Sequence, residues 1–199
     1  METTEAPLTG HHEAMKMTRA RAELMHTLDA KKDHSGSEIQ AMLARTITLT
    51  DGTVLPRGTI LVGKVTIDDM QPGGRSRLAL RFDEAQLKDK TNVPVKVTIV
   101  AVYGPPEGDA EFADSDGSDV PNSWTDETLQ IDQIAVLGGV DLHSRISSDD
   151  SGVFVSTKKD EVKIAKGSEI QLAIGPGKAF SRADQTAGEG TTTTALVQK

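Results

Sequence analysis

The chain has 199 residues, 36% apolar and 26% charged, with no cysteine and only 3% aromatics. That length suits one compact domain with tails, and the missing cysteine excludes disulfide frameworks, thiolate zinc sites, iron–sulfur clusters and thiol catalysis. A formal charge of −8 argues against a general nucleic-acid or anionic-membrane binder, and no apolar run approaches the roughly 20 residues of a spanning helix.

From the N-terminus, Met1 to about Glu13 is polar, contains Pro and Gly, and lacks any apolar period. It reads as a disordered tail rather than a signal peptide, because no apolar stretch follows the first Met. Glu13 to Leu28 fits two patterns. Ala14, Met17, Ala20, Arg21, Leu24 and Leu28 make a helical face, whereas Ala22, Leu24, His26 and Leu28 alternate as a strand. The expectation is a short helix or coil within a flexible tail, residues 1–20, and a strand from about Ala22.

Alternation then takes over. Ile39, Ala41, Leu43, Ile47 and Leu49 share one parity between Ser37 and Thr50, as in a half-buried strand. Asp51-Gly52 signals a hairpin and Leu55-Pro56-Arg57-Gly58 a second turn. Thr59 to Ile67 is a β-branched run in which Gly63 suggests a bulge or a close backbone approach. Gln71-Pro72-Gly73-Gly74 is a loop. Arg77 to Phe82 alternates, and Val93, Val95, Val97, Ile99, Ala101 and Tyr103 keep one parity over a long strand.

The acidity is local. Val97 to Ser144 contains ten acids and no Lys or Arg, so the remainder holds 22 basic against 20 acidic residues, a net of +2. Gly104 to Ser123 is rich in Gly, Pro, Ser and Asp and reads as a solvated loop, so residues 104–128 are expected as an acidic insertion. Leu129 to Val136 is apolar and of either type. Val153–Val155, Val162–Ile164 and Ile170–Ile174 are short strands with a turn at Lys166-Gly167, and residues 176–199 form a second flexible tail. The fold expected is all-β, a partly closed barrel or sandwich of short antiparallel strands in one domain, residues 21–175.

Three runs carry a resemblance: Leu24-Met25-His26-Thr27-Leu28-Asp29-Ala30-Lys31-Lys32, then Gly36-Ser37-Glu38-Ile39-Gln40-Ala41, then Leu49 to Val65 with Asp51-Gly52-Thr53-Val54-Leu55-Pro56-Arg57-Gly58-Thr59 at its centre. Together with Ser76-Arg77-Leu78 to Phe82-Asp83-Glu84-Ala85 and Gly167-Ser168-Glu169-Ile170-Gln171-Leu172, they resemble secreted bacterial β proteins of uncharacterised role. More distantly, the order of elements is similar to the periplasmic β-barrel domain of conjugative and type IV secretion channel proteins of the TrbI type. The resemblance covers roughly Ala22 to Tyr103 and Val153 to Ile174. It implies a periplasmic or secreted barrel, with a native signal peptide removed and a cytoplasmic setting as the other reading. Those relatives carry a long apolar insertion that builds an outer-membrane pore. Here the matching place is acidic and cannot enter lipid, so pore formation is not inherited.

The chemical motifs are weak. His11-His12 with Glu13 has metal-ligand chemistry but sits in the tail, and His26, His34 and His143 are far apart. Asp114-Ser115-Asp116-Gly117-Ser118-Asp119 resembles a calcium loop, yet Gly117 falls at position four and Thr125 at twelve, so it is no EF-hand. A loose Ca²⁺ site is the sharper reading of it and a solvated loop the plainer one. Gly175-Pro176-Gly177-Lys178 lacks the remaining Walker A residues, and no Gly-x-Ser-x-Gly or His-Glu-x-x-His occurs. Asp83-Glu84 and Asp68-Asp69 are adjacent carboxylates that a regular strand would point to opposite faces, which suits strand ends and turns better than a general acid–base pair.

The residues thus assign no catalytic, cofactor or metal site. With the resemblance, which implies the bacterial envelope or secreted space, the expectation is a non-enzymatic structural or interaction module. Its candidate surface comprises Tyr103 and Trp124 near the base of the acidic loop, Asp114, Asp116 and Asp119 within it, and Arg77 and Arg81 on one strand face. Arg77 and Arg81 either guard a sheet edge or dock the chain's own acidic segment. Partners would be another protein or a second copy added at a strand edge. The rival is a carboxylate-based glycoside hydrolase or carbohydrate-binding protein of the envelope.

Overall fold

Period-2 alternation becomes strand wherever a neighbouring strand can cover the apolar face, and here it does so throughout the described residues. The computed structural model describes residues 16–66, 75–105, 123–125, 130–137, 139–158 and 162–177. All its regular elements are strands: β1 (Lys16–Leu24), β2 (Leu28–Asp29), β3 (Glu38–Leu43), β4 (Ile47–Thr48), β5 (Val54–Leu55), β6 (Ile60–Thr66), β7 (Ser76–Gln86), β8 (Asn92–Tyr103), β9 (Ser123–Thr125), β10 (Gln130–Leu137), β11 (Val140–Arg145), β12 (Gly152–Ser156), β13 (Lys163–Ile164) and β14 (Glu169–Pro176). No helix among the described residues is long and apolar enough to cross a membrane.

Six strands close into an antiparallel barrel in the order β7-β6-β3-β1-β14-β8, with β8 returning to β7. A second leaf, β12-β11-β10, grows from the first half of β7. Ribbons β4–β5 and β13–β2 complete the fold, and β9 lies along the start of β1. The expected partly closed barrel is therefore a closed one. The core is filled by aliphatic side chains, with Phe82 and Phe154 the largest fully buried side chains among the described residues.

Three expectations change. Lys16–Ala20 is strand rather than helix or coil, so order begins inside the piece expected as tail. The ladder decides this: Thr18 to Glu23 pairs with β14 and Lys16 to Thr18 with β9, and these pairings override a local pattern that fitted both periods. The run from Ser37 to Thr50 breaks into β3 and β4, because β4 leaves to form a ribbon with β5. Asp51-Gly52 makes the turn of that ribbon. Gly52 sits at φ 87°, and Asp51 Oδ1 accepts a hydrogen bond from the Thr53 amide at 2.9 Å. That bond, made to the charged form, lowers the Asp51 pKa.

The third change follows from two β-bulges. In β7, Phe82 lies opposite Gly63 and Glu84 opposite Val62, so Asp83 is an extra residue. In β8, Ile99 pairs with Leu172 and Ala101 with Gln171, so Val100 is extra. One inserted residue flips the phase of everything beyond it. Val102, not Ala101 or Tyr103, therefore continues the buried row of Val95, Val97 and Ile99, and Tyr103 is 51% exposed.

Gly63 is required by the first bulge. A Cβ there would stand 2.0 Å from the Arg81 carbonyl oxygen and 2.8 Å from Phe82 Cα, backbone atoms that cannot yield without opening β6 from β7. Gly63→Ala should cost about 3 kcal/mol or more by the overpacking and strain it imposes. Gly104→Ala, where a Cβ meets nothing within 4 Å, should stay within about 0.5 kcal/mol. Urea denaturation of the two variants beside the parent checks both.

Candidate functional site: a cleft at the barrel seam

β7 and β8 form a hairpin, but their direct pairing covers only Glu84–Gln86 against Asn92–Pro94. Beyond that, β7 turns to pair with β12 while β8 stays on β14, and the two strands part. Parting leaves backbone groups facing a gap, and buried groups of that kind must find partners. Ser151 supplies most of them. Its amide donates to the Leu80 carbonyl and its carbonyl accepts from the Ile99 amide, both at 2.7 Å. Its Oγ accepts from the Phe82 amide at 2.9 Å. The remaining Ile99 carbonyl accepts from Ser144 Oγ at 2.6 Å.

The β11–β12 loop that delivers Ser151 is held by charge. Asp150 is fully buried; its Oδ1 accepts from Thr66 Oγ1 at 2.6 Å and lies 3.8 Å from Arg81 Nη2. Asp149, whose side chain is 80% exposed, sits 3.8 Å from the same nitrogen. From β8, Lys96 Nζ donates to the Ser148 carbonyl. Burial pushes the Lys96 pKa down, partly opposed by the nearby Asp149 carboxylate.

Between these elements opens a cleft of about 600 Å³, with Phe82, Val95, Ile146, Pro94 and Pro176 supplying apolar lining. Its charged lining comprises Arg81 and Lys96 against Asp83, Glu84 and Asp149. The bulge sets the carboxylates: Asp83 and Glu84 are consecutive yet both exposed, between buried Phe82 and Ala85. A regular strand would have sent one of them inward. The expectation of opposite faces fails for that reason, and the pair lies mid-strand rather than at a strand end. Glu84 Oε2 accepts from Asn92 Nδ2 at 3.0 Å across the hairpin.

The residues expected as a surface do not gather in one place. Trp124 stands opposite Met17 at the start of β1, whereas Tyr103 pairs with Glu169, itself opposite Glu23 near the end of β1. Six residues of strand separate those levels, about 20 Å. Asp114, Asp116 and Asp119 lie outside the described residues, as do the His11-His12-Glu13 motif and Asp68-Asp69. Arg77 is exposed on β7 beside Val155. Arg81 pairs with Asp149 and Asp150, acids that follow the base-free segment rather than belong to it. No group of three or more His, Asp or Glu among the described residues could hold a metal ion. Sequence reasoning missed Lys96, Asp149, Asp150 and Ser151. A visible signal existed for Lys96, the one charged residue inside the apolar run Val93 to Tyr103.

No family model matches the chain, and neither a curated protein nor a solved structure matches it. The site is thus read from its own chemistry.

Lys96 gives the cleft a pH signature. The folded state holds this lysine below its ordinary value of 10.5, so between the two values the unfolded chain binds more protons and stability rises with pH. Its burial costs stability at neutral pH, and that cost lifts as pH climbs through the lowered value. Urea denaturation of the parent and of Lys96→Met between neutral pH and 10.5 should show the parent gaining on the variant as pH rises.

Proposed function

We propose that the protein is a non-enzymatic interaction module that binds through the seam cleft. The observation that carries this reading is how the cleft's charged groups are used. Arg81 is drawn to Asp149 and Asp150, Lys96 is tied to a carbonyl and Glu84 to Asn92. Groups committed to holding walls in place define a shape for recognition, while a general acid or base must be released to move a proton. Mixed charged groups over an apolar floor in a cleft of this size suit orientation of a ligand.

Placement in the bacterial envelope or secreted space belongs to the same proposal. It rests on the motif resemblance from Leu24 to Val65 and in Gly167 to Leu172, and so does kinship to a secretion-channel barrel without its membrane parts. One observation favours the enzymatic rival: the bulge puts Asp83 and Glu84 in one cleft with Asp149, and glycoside hydrolysis uses paired carboxylates.

The two readings separate by turnover. The purified chain incubated with soluble envelope polysaccharides should release no reducing ends above a protein-free control. Release that disappears in Asp83→Asn or Glu84→Gln would establish the hydrolase instead.

A further inference from the structure

We propose that the seam cleft takes a lysine or arginine side chain presented by an extended peptide segment of a partner protein. The inference rests on the interaction reading above and names its occupant by charge complementarity. The cations of the cleft, Arg81 and Lys96, are engaged by Asp149, Asp150 and the Ser148 carbonyl. Asp83, Glu84 and Asp149 are the exposed charged groups of its rim; Glu84 meets Asn92 through Oε2 and Asp149 lies 3.8 Å from Arg81, and a carboxylate has sites for further hydrogen bonds.

Other ligand classes fit less well. An anion would have to compete with Asp149 and Asp150 for Arg81 while facing Asp83 and Glu84, and like charges at close range suppress binding. A neutral sugar meets no exposed aromatic face among the described lining residues, where the aromatic, Phe82, is 1% exposed and belongs to the core. A long cationic side chain matches both parts of the cleft. Its aliphatic stem can lie along exposed Pro94 and half-buried Pro176, and its head can meet the Asp83-Glu84 rim. A volume of about 600 Å³ also accommodates the neighbouring residues of an extended segment.

The test is an amide ¹H–¹⁵N titration of the full chain with the acetylated, amidated pentapeptide Ala-Val-Lys-Val-Ala and its Glu-centred twin. The lysine peptide should shift, saturably, the amides of residues 82–84, 95–96 and 146–149. Its affinity should fall about tenfold in the Asp83→Asn/Glu84→Gln double variant, whose exposed, isosteric changes leave the core intact. In the parent protein it should also weaken as salt rises from about 50 to about 300 mM. The proposal is overturned by equal binding of the Glu twin, by the absence of saturable shifts at these residues, or by salt-independent affinity. Butylammonium chloride binding as tightly as the peptide would overturn the assignment to a peptide segment. Failure of the lysine peptide without polysaccharide turnover removes this occupant and leaves the interaction reading; turnover removes both.

Discussion

The closing of the barrel depends on one serine. A hairpin joined over three residue pairs cannot by itself seal β7 to β8, because the strands diverge toward different partners beyond Pro94. Ser151 spans the divergence with its amide, carbonyl and hydroxyl, and so gives partners to the Leu80 carbonyl and to the Ile99 and Phe82 amides. Each such bond adds about 1 kcal/mol net, but leaving a buried donor unmet costs about 1–3 kcal/mol. Ser151 is itself 1% exposed, so its bonds are shielded from bulk water. The ion pairs of Asp150 and the Lys96 contact act one step back from it, holding the loop in which it sits.

The same divergence makes the cleft. Two bulges, at Asp83 and Val100, accompany the parting of β7 and β8, and both strands keep their buried rows. The bulge in β7 turns two acids outward together, and Gly63 allows it by admitting the Arg81 carbonyl where a side chain would stand. Cleft, carboxylates and seam thus share one cause, an irregular strand pair held shut by a loop. The seam and the cleft are joined through Arg81, which faces Asp150 and also lines the cleft.

The all-β fold was legible because alternation, turn glycines and the Asp51-Gly52 hairpin act locally, and Gly63 announced its close approach. The N-terminal strand was not, since Met17 and Ala20, three residues apart, fit a helical face until β9 and β14 are seen beside them. The phase flip at Val100 was hidden for a similar reason: a bulge is a property of a pair of strands, and Val97 to Tyr103 alone looks regular. Arg81 was noticed as a charge on a strand face, but its partners lie nearly 70 residues away on a Ser-Asp turn with no distinctive pattern. Asp83-Glu84 was set aside by applying strand geometry where the strand is broken.

If Ser151 closes the seam, its effect must be local to the seam. Amide hydrogen exchange of the parent and of Ser151→Ala tests this residue by residue. The account predicts that Phe82, deprived of its hydroxyl acceptor, loses about tenfold or more of its protection, consistent with about 1–3 kcal/mol for an unmet donor. The β3–β6 ladder should keep nearly all of its own. Unchanged exchange at Phe82, or an equal loss spread over the whole barrel, would contradict it.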